Sequence, residues 1–159
     1  MSDEMIVHPL KPIYDKNSKV LILGSFPSVV ARNVGFYYGN KTNRFWKILE
    51  ILFDEEIIDK KEFCLNHHIA LWDVIYSCKI HGSSDSSISD VQVNDINSLI
   101  SKTNIEVIFT TGSKANSIYT KYINDVSIKQ IALPSTSSAN ARMKLEDLVN
   151  SYSVIKGYL

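Results

Sequence analysis

The sequence predicts an α/β protein, a three-layer α/β/α sandwich around a short, four-stranded, mainly parallel sheet. Two near-continuous apolar runs, K-V-L-I-L-G at 19–24 and I-E-V-I-F-T-T-G at 105–112, each end on a glycine. Such runs mark strands buried on both faces, as parallel sheets require. Candidate strands alternate with stretches of helical spacing along the whole chain, and no internal repeat is present, which is the order of βα units laid into one sheet. With 159 residues and 45% hydrophobic content, a single domain over 1–159 is expected.

Each element has its own justification. Met1 to Ser18 carries Pro9 and Pro12 and no sustained period, so it reads as a surface lead-in without chemistry. Residues 19–24 form the first, central strand. From Asn43 onward, Phe45, Ile48, Leu49 and Leu52 recur at helical spacing opposite Arg44, Lys47, Glu50 and Asp54, which predicts an amphipathic helix. A less periodic helix is expected over 55–66, ended by His67-His68, before the strand I-A-L-W-D-V-I. Residues 79–93, rich in Ser and Asp, read as a polar loop. Asn94 is the expected cap of a short helix carrying Ile96, Leu99 and Ile100, and the second apolar run follows. Ser113 is the expected cap of the next helix, which places Ala115, Ile118, Tyr119 and Tyr122 on one face. S-I-K-Q-I-A-L predicts the last strand, and a final helix buries Ala141, Leu145, Leu148 and Tyr152.

Composition narrows the functional classes. With 17 basic and 17 acidic residues, the formal charge is zero, so strong nonspecific attraction to phosphate backbones is not written into the chain. Cys64 and Cys78 lack C-x-x-C spacing and sit among apolar residues, which supports neither a disulfide framework nor a metal cluster. No apolar run reaches the roughly twenty residues that cross a bilayer, and M-S-D-E-M-I-V-H lacks the regions of a signal peptide. A cytoplasmic monomer that needs no membrane is expected.

The stretch Gly24 to Trp46, G-S-F-P-S-V-V-A-R-N-V-G-F-Y-Y-G-N-K-T-N-R-F-W, lies between the first strand and the first long helix. Open α/β sheets place their sites at strand carboxyl ends, where this loop sits. Phe36, Tyr37 and Tyr38 form an aromatic cluster that a simple connection does not need, so a binding site is expected here. Taken with N-R-F-W and the late L-P-S-T-S-S, the segment G-S-F-P-S resembles the uracil-DNA glycosylase superfamily, and A-L-W-D-V-I-Y-S-C with G-S-S-D-S-S-I resembles its hypoxanthine-DNA (deoxyinosine) glycosylase branch. G-S-F-P-S stands where the superfamily has its first motif, and L-P-S-T-S-S where it has its second.

The resemblance implies a DNA glycosylase of base excision repair, acting on DNA that contains deaminated bases, with no metal and no other cofactor. Phe26 occupies the place where most members carry a water-activating Asp or Asn, and it can do neither job. In the deoxyinosine branch the asparagine of N-R-F-W is thought to act instead, which makes Asn43 the catalytic candidate. Its carboxamide would hold a water against the sugar carbon, while backbone N–H groups around Gly24, Ser25 and Phe26 donate to the leaving base. Read without the resemblance, Asn43 caps the helix it precedes. Tyr38 matches an aromatic that stacks on the extruded base in mismatch-specific relatives, with Phe26 as a second wall. Pro134, Ser135, Thr136 and Ser137 would grip phosphates beside that nucleotide, or else form a turn that caps the last helix. Uracil or mismatch excision, and a binding module without chemistry, are the alternatives.

Overall fold

A computed structural model describes residues 4–159; Met1 to Asp3 of the predicted lead-in lie outside the described residues. In chain order the elements are β1 (Met5–Val7), β2 (Val20–Gly24), α1 (Val29–Val34), α2 (Phe45–Phe53), α3 (Lys60–Asn66), β3 (Ile69–Asp73) and β4 (Ile75–Lys79). They continue with β5 (Ser89–Val93), α4 (Ile96–Ser101), β6 (Val107–Thr111), α5 (Ser113–Tyr122), β7 (Lys129–Leu133) and α6 (Leu145–Tyr152). Short 3-10 segments occupy Asp85–Ser87 and Ser153–Tyr158.

The expected four-stranded sheet is present, parallel throughout, in the order β3-β2-β6-β7. The apolar runs supply its two central strands, and every residue of β2 and β6 is buried. Because side chains alternate along a strand, the run divides between two cores. Val20 and Ile22 pack with Ile48 and Leu49 of α2 and Leu148 and Tyr152 of α6. Leu21 and Leu23 pack on the other face with Leu99 of α4 and Ile118 and Tyr119 of α5. Each such fully buried aliphatic side chain contributes about 1.5–3 kcal/mol, and the two polar residues of β6, Thr110 and Thr111, are buried with their hydroxyls hydrogen-bonded.

Several local expectations are corrected. Residues 79–93 are not one polar loop: Ser89–Val93 pairs antiparallel with β4, and β1 pairs with β4 on its other edge, giving a second sheet in the order β1-β4-β5. The tract I-A-L-W-D-V-I is two strands, because the backbone turns at Val74, whose N–H donates to the Gly24 carbonyl, and Ile75 joins the second sheet. The lead-in contributes β1 and the buried Ile13. The second helix begins only at Lys60, since Asp59 accepts from the Glu62 N–H as its cap. Asp95 rather than Asn94 caps α4, accepting from the Ser98 N–H. Asn94 is buried and donates to the Asp73 and Ile75 carbonyls, holding the turn at Val74. Gly112 stands at the cap of α5 with φ 89°, so Ser113 is already helical. Ala141 is exposed and precedes α6, and Tyr122 is 40% exposed, so neither belongs to the core.

Candidate functional site

Strand β2 runs on to β3 at one side of the sheet, whereas β6 runs on to β7 at the other. At such a reversal the connections diverge and leave a crevice above the strand ends. A cleft of about 190 Å³ opens there, lined by Gly24, Tyr38, Asn43, Asp73, Thr111 and Ser135 among others. Sites for drug-sized ligands run to roughly 300–1,000 Å³, so this cleft suits one flat heterocycle.

The floor is built on Gly24, the last residue of β2. A Cβ at this position would stand 2.5 Å from Oδ1 of Asp73 and 3.3 Å from the Tyr38 hydroxyl. Only glycine lets the Asp73 carboxylate lie over the strand end. Asp73 is 4% exposed, and its Oδ2 is 2.7 Å from Nε2 of His8. His8 in turn places Nδ1 2.8 Å from the Leu10 carbonyl and sets its ring edge-on to Phe26. The lead-in therefore fastens the floor from behind.

Loop 81–88 closes one side. The Ser25 hydroxyl donates to Asp85 over 3.1 Å, the Val29 N–H donates to Oγ of Ser83, and Arg32 donates to the Gly82 carbonyl. Loss of water around the Asp85 carboxyl, then the nearby charge of Asp73, raise its pKa against the opposing effects of Ser25 and Lys114. The other side is aromatic. Tyr38 stacks on Phe45 with centroids 3.9 Å apart and planes inclined by 16°. Its hydroxyl lies 3.3 Å from Oγ1 of Thr111, and burial pushes that phenol well above its ordinary pKa. Tyr38 adopts φ 54°, a left-handed conformation unusual for a bulky residue. Phe26 is buried with the Arg32 guanidinium 5.5 Å from its ring centre.

Asn43 stands two residues before α2. Its Oδ1 accepts from the Phe45 N–H at 2.9 Å and from the Thr136 hydroxyl at 2.8 Å. A backbone N–H can only donate, so the atom facing Phe45 is the carboxamide oxygen. Thr136 is 2% exposed, and its hydroxyl serves Asn43. Ser135 and Ser137 differ: each hydroxyl accepts from a backbone N–H two residues on, Ser137 and Ala139 respectively, and so retains its proton for another acceptor. The Pro134 carbonyl accepts from the Tyr152 hydroxyl. Next to Asn43, Arg44 donates to the carbonyls of Thr136, Ser137, Asn140 and Met143. One guanidinium thus ties the whole 136–143 loop to the head of α2.

The sequence-predicted site residues Gly24, Ser25, Phe26, Tyr38, Asn43, Ser135, Thr136 and Ser137 all line this cleft, whereas Pro134 does not and its carbonyl accepts from Tyr152. Asp73, Asp85, His8 and Arg44 were not anticipated. A charged residue closing the apolar run Ile69–Trp72 was the available signal for Asp73, because a carboxylate at a parallel strand's carboxyl end has the strand-end crevice beside it. His8 had no signal. Among the described residues no group of three or more His, Cys, Asp or Glu is placed to hold a metal ion.

Comparison with known proteins accords with this geometry. The chain is 35% identical over 144 residues to a hypoxanthine DNA glycosylase of Methanosarcina acetivorans, covering 87% of this chain and 90% of that protein. It is 30% identical over 137 residues to a hypoxanthine DNA glycosylase of Methanosarcina barkeri, covering 82% and 86%. A solution NMR structure of a candidate uracil DNA glycosylase from Methanosarcina acetivorans superposes with a TM-score of 0.77 at 29% identity, covering 95% of this chain and 99% of that one. The family model described as the uracil DNA glycosylase superfamily matches residues 11–153. With that match over most of its length and these relatives, the chain belongs to the uracil-DNA glycosylase superfamily.

Proposed function

We propose that the protein is a monofunctional DNA glycosylase that removes hypoxanthine from deoxyinosine in DNA, as a monomer in the cytoplasm and without metal or cofactor. The observation that carries this reading is the convergence of the Asn43 carboxamide, the Tyr38 ring and the Asp73 carboxylate on one cleft of single-base size. An extruded base stacks on Tyr38, whose far face is already braced by Phe45. The free Oδ1 of Asp73 accepts the N1–H that hypoxanthine carries and adenine lacks, so deamination itself creates the hydrogen bond that is read. Ser135 and Ser137 present hydroxyl protons to the phosphates beside the extruded nucleotide.

In the reaction the bond from the sugar C1′ to N9 breaks and its electron pair leaves with the base. Water forms the new bond to C1′ and gives up a proton, and the base gains one. The sugar passes through oxocarbenium character, as in glycoside hydrolysis. Side-chain dipoles and the closed pocket wall supply the stabilisation.

Incubation with labelled duplexes containing deoxyinosine, deoxyuridine, deoxyxanthosine or adenine in one position tests the assignment by scoring abasic sites. Release from deoxyinosine, undiminished by EDTA, is expected. Uracil also carries a ring N–H that Asp73 accepts, so preferential release of uracil would replace hypoxanthine as the substrate. Binding without release from any duplex would reduce the protein to a nucleic-acid-binding module.

A further inference from the structure

We infer that Thr136 locks the Asn43 carboxamide in one orientation, so that Asn43 acts on the departing base as a hydrogen-bond donor and not on water as an acceptor. The inference rests on the glycosylase reading and deepens it. Both lone-pair directions of the Asn43 oxygen are occupied, one by the Phe45 N–H and one by the Thr136 hydroxyl. A carbonyl oxygen has two such directions, so none remains for a nucleophilic water. Nδ2 donates to no protein group among the described residues, and Asn43 lines the cleft. What the site presents is therefore an N–H.

A donor assists where electrons accumulate, and in glycosidic cleavage they accumulate on the leaving base. Placed against the water, the same N–H would draw density from the nucleophile. Thr136 is a positioning residue: it is buried and its carbonyl accepts from the Arg44 backbone N–H and side chain. The loop that holds the phosphates and the group that acts on the base are in this way set by one residue.

The test uses the full chain on duplexes with deoxyinosine and deoxyuridine under single-turnover conditions, wild type beside each variant. Thr136→Val, isosteric but without a proton to donate, should slow release by about tenfold, less than the roughly 100-fold cost of deleting such a donor outright. Its duplex affinity should stay within about twofold, and Thr136→Ser should restore the rate, because only the hydroxyl is needed. Asn43→Asp supplies a readout independent of Thr136. One oxygen would keep the Phe45 and Thr136 bonds while the other replaces Nδ2, an acceptor when ionised and a donor only when protonated. Its rate relative to wild type should therefore climb as pH falls.

The ionisable neighbours are Asp73 at the end of β3, Asp85, Tyr37, Tyr38 and Arg44, with Lys114 of α5 acting on Asp85. All are shared with wild type, so the ratio isolates the new carboxyl. A folded Thr136→Val at the wild-type rate, or an Asn43→Asp ratio that climbs with rising pH, would overturn the inference. If Thr136→Val does not fold, the Asn43→Asp ratio decides alone. Wild type inactive on both duplexes would overturn the glycosylase reading and this inference with it.

Discussion

Asp73 is held between two residues that the chain brings from opposite directions: His8 binds Oδ2 from behind, and Gly24 leaves the space that Oδ1 occupies. Gly24→Ala should therefore act on the carboxylate and not only on the strand. The added methyl must displace Oδ1 from 2.5 Å, an overpacking change that costs about 1–3 kcal/mol. A Tm lower by several degrees, with base release impaired beyond the loss of folded protein, is the expected pair of results. Wild-type kinetics in Gly24→Ala would show that Asp73 can move without consequence.

His8→Ala removes the partner of a carboxylate that is only 4% exposed. Removing one partner of a buried hydrogen bond leaves the other desolvated without compensation, which costs about 1–3 kcal/mol. Urea unfolding should register a loss of about 3 kcal/mol, at the upper end of that range. Restoration of stability by the double variant His8→Ala with Asp73→Asn would identify the stranded carboxylate as the cause.

Arg44→Lys keeps the charge and loses the fork. Four loop carbonyls now share one planar guanidinium, which an ammonium with three donors cannot reach together. Loss of charge-assisted bonds should cost on the order of 2 kcal/mol, with limited proteolysis moving into residues 134–144. An unchanged cleavage pattern would remove Arg44 from the organisation of that loop.

Tyr38→Ala should weaken affinity for lesion-containing duplex by about 1–3 kcal/mol, the worth of one base-aromatic stack. Tyr38→Phe keeps the ring on Phe45 and loses only the contact with Thr111, so its affinity should stay near wild type. Equal losses in both variants would assign the role to the hydroxyl.

Alkali should unfold the protein through its buried acids. Burial pushes the Tyr37, Tyr38 and Tyr152 phenols above their ordinary value of 10.0 and the Cys64 thiol up to about 12 from 9.0. Folded pKa values raised above unfolded ones mean that the unfolded chain releases protons first, so stability is intact below about pH 9 and declines as pH rises beyond it. Denaturation midpoints between pH 7 and 11 measure this, and Cys64 should resist thiol reagents until unfolding. A midpoint flat to pH 11 would contradict it.

The fold was legible wherever burial on both faces imposes a continuous apolar run, as in Val20–Leu23 and Val107–Phe109, or on one face imposes helical spacing, as in Phe45–Leu52. Strand β5 escaped because it lies at a sheet edge and shows solvent Ser89, Asp90 and Gln92, leaving only Val91 and Val93 as apolar markers. The candidate site was legible in its loops, since Gly24–Phe26, Tyr38, Asn43 and Ser135–Ser137, which line the cleft, are short-range patterns at strand and helix ends. Contacts across distance were not. His8 reaches Asp73 over 65 positions and Thr136 reaches Asn43 over 93, and no local pattern specifies either pairing. The direction of the Asn43 carboxamide is also a tertiary fact, fixed by the hydroxyl it meets.

The left-handed backbone of Tyr38 carries a standing cost. Holding a bulky residue there is worth roughly 1–3 kcal/mol of strain, which glycine would relieve at once. The less comfortable residue stands at a position where it lines the cleft. Tyr38→Gly would relieve that strain but delete the ring stacked on Phe45, a large-to-small loss of roughly 3–5 kcal/mol that outweighs it, so the variant would be both less stable and worse at holding a base. Selection on activity and selection on stability therefore pull this one codon in the same direction.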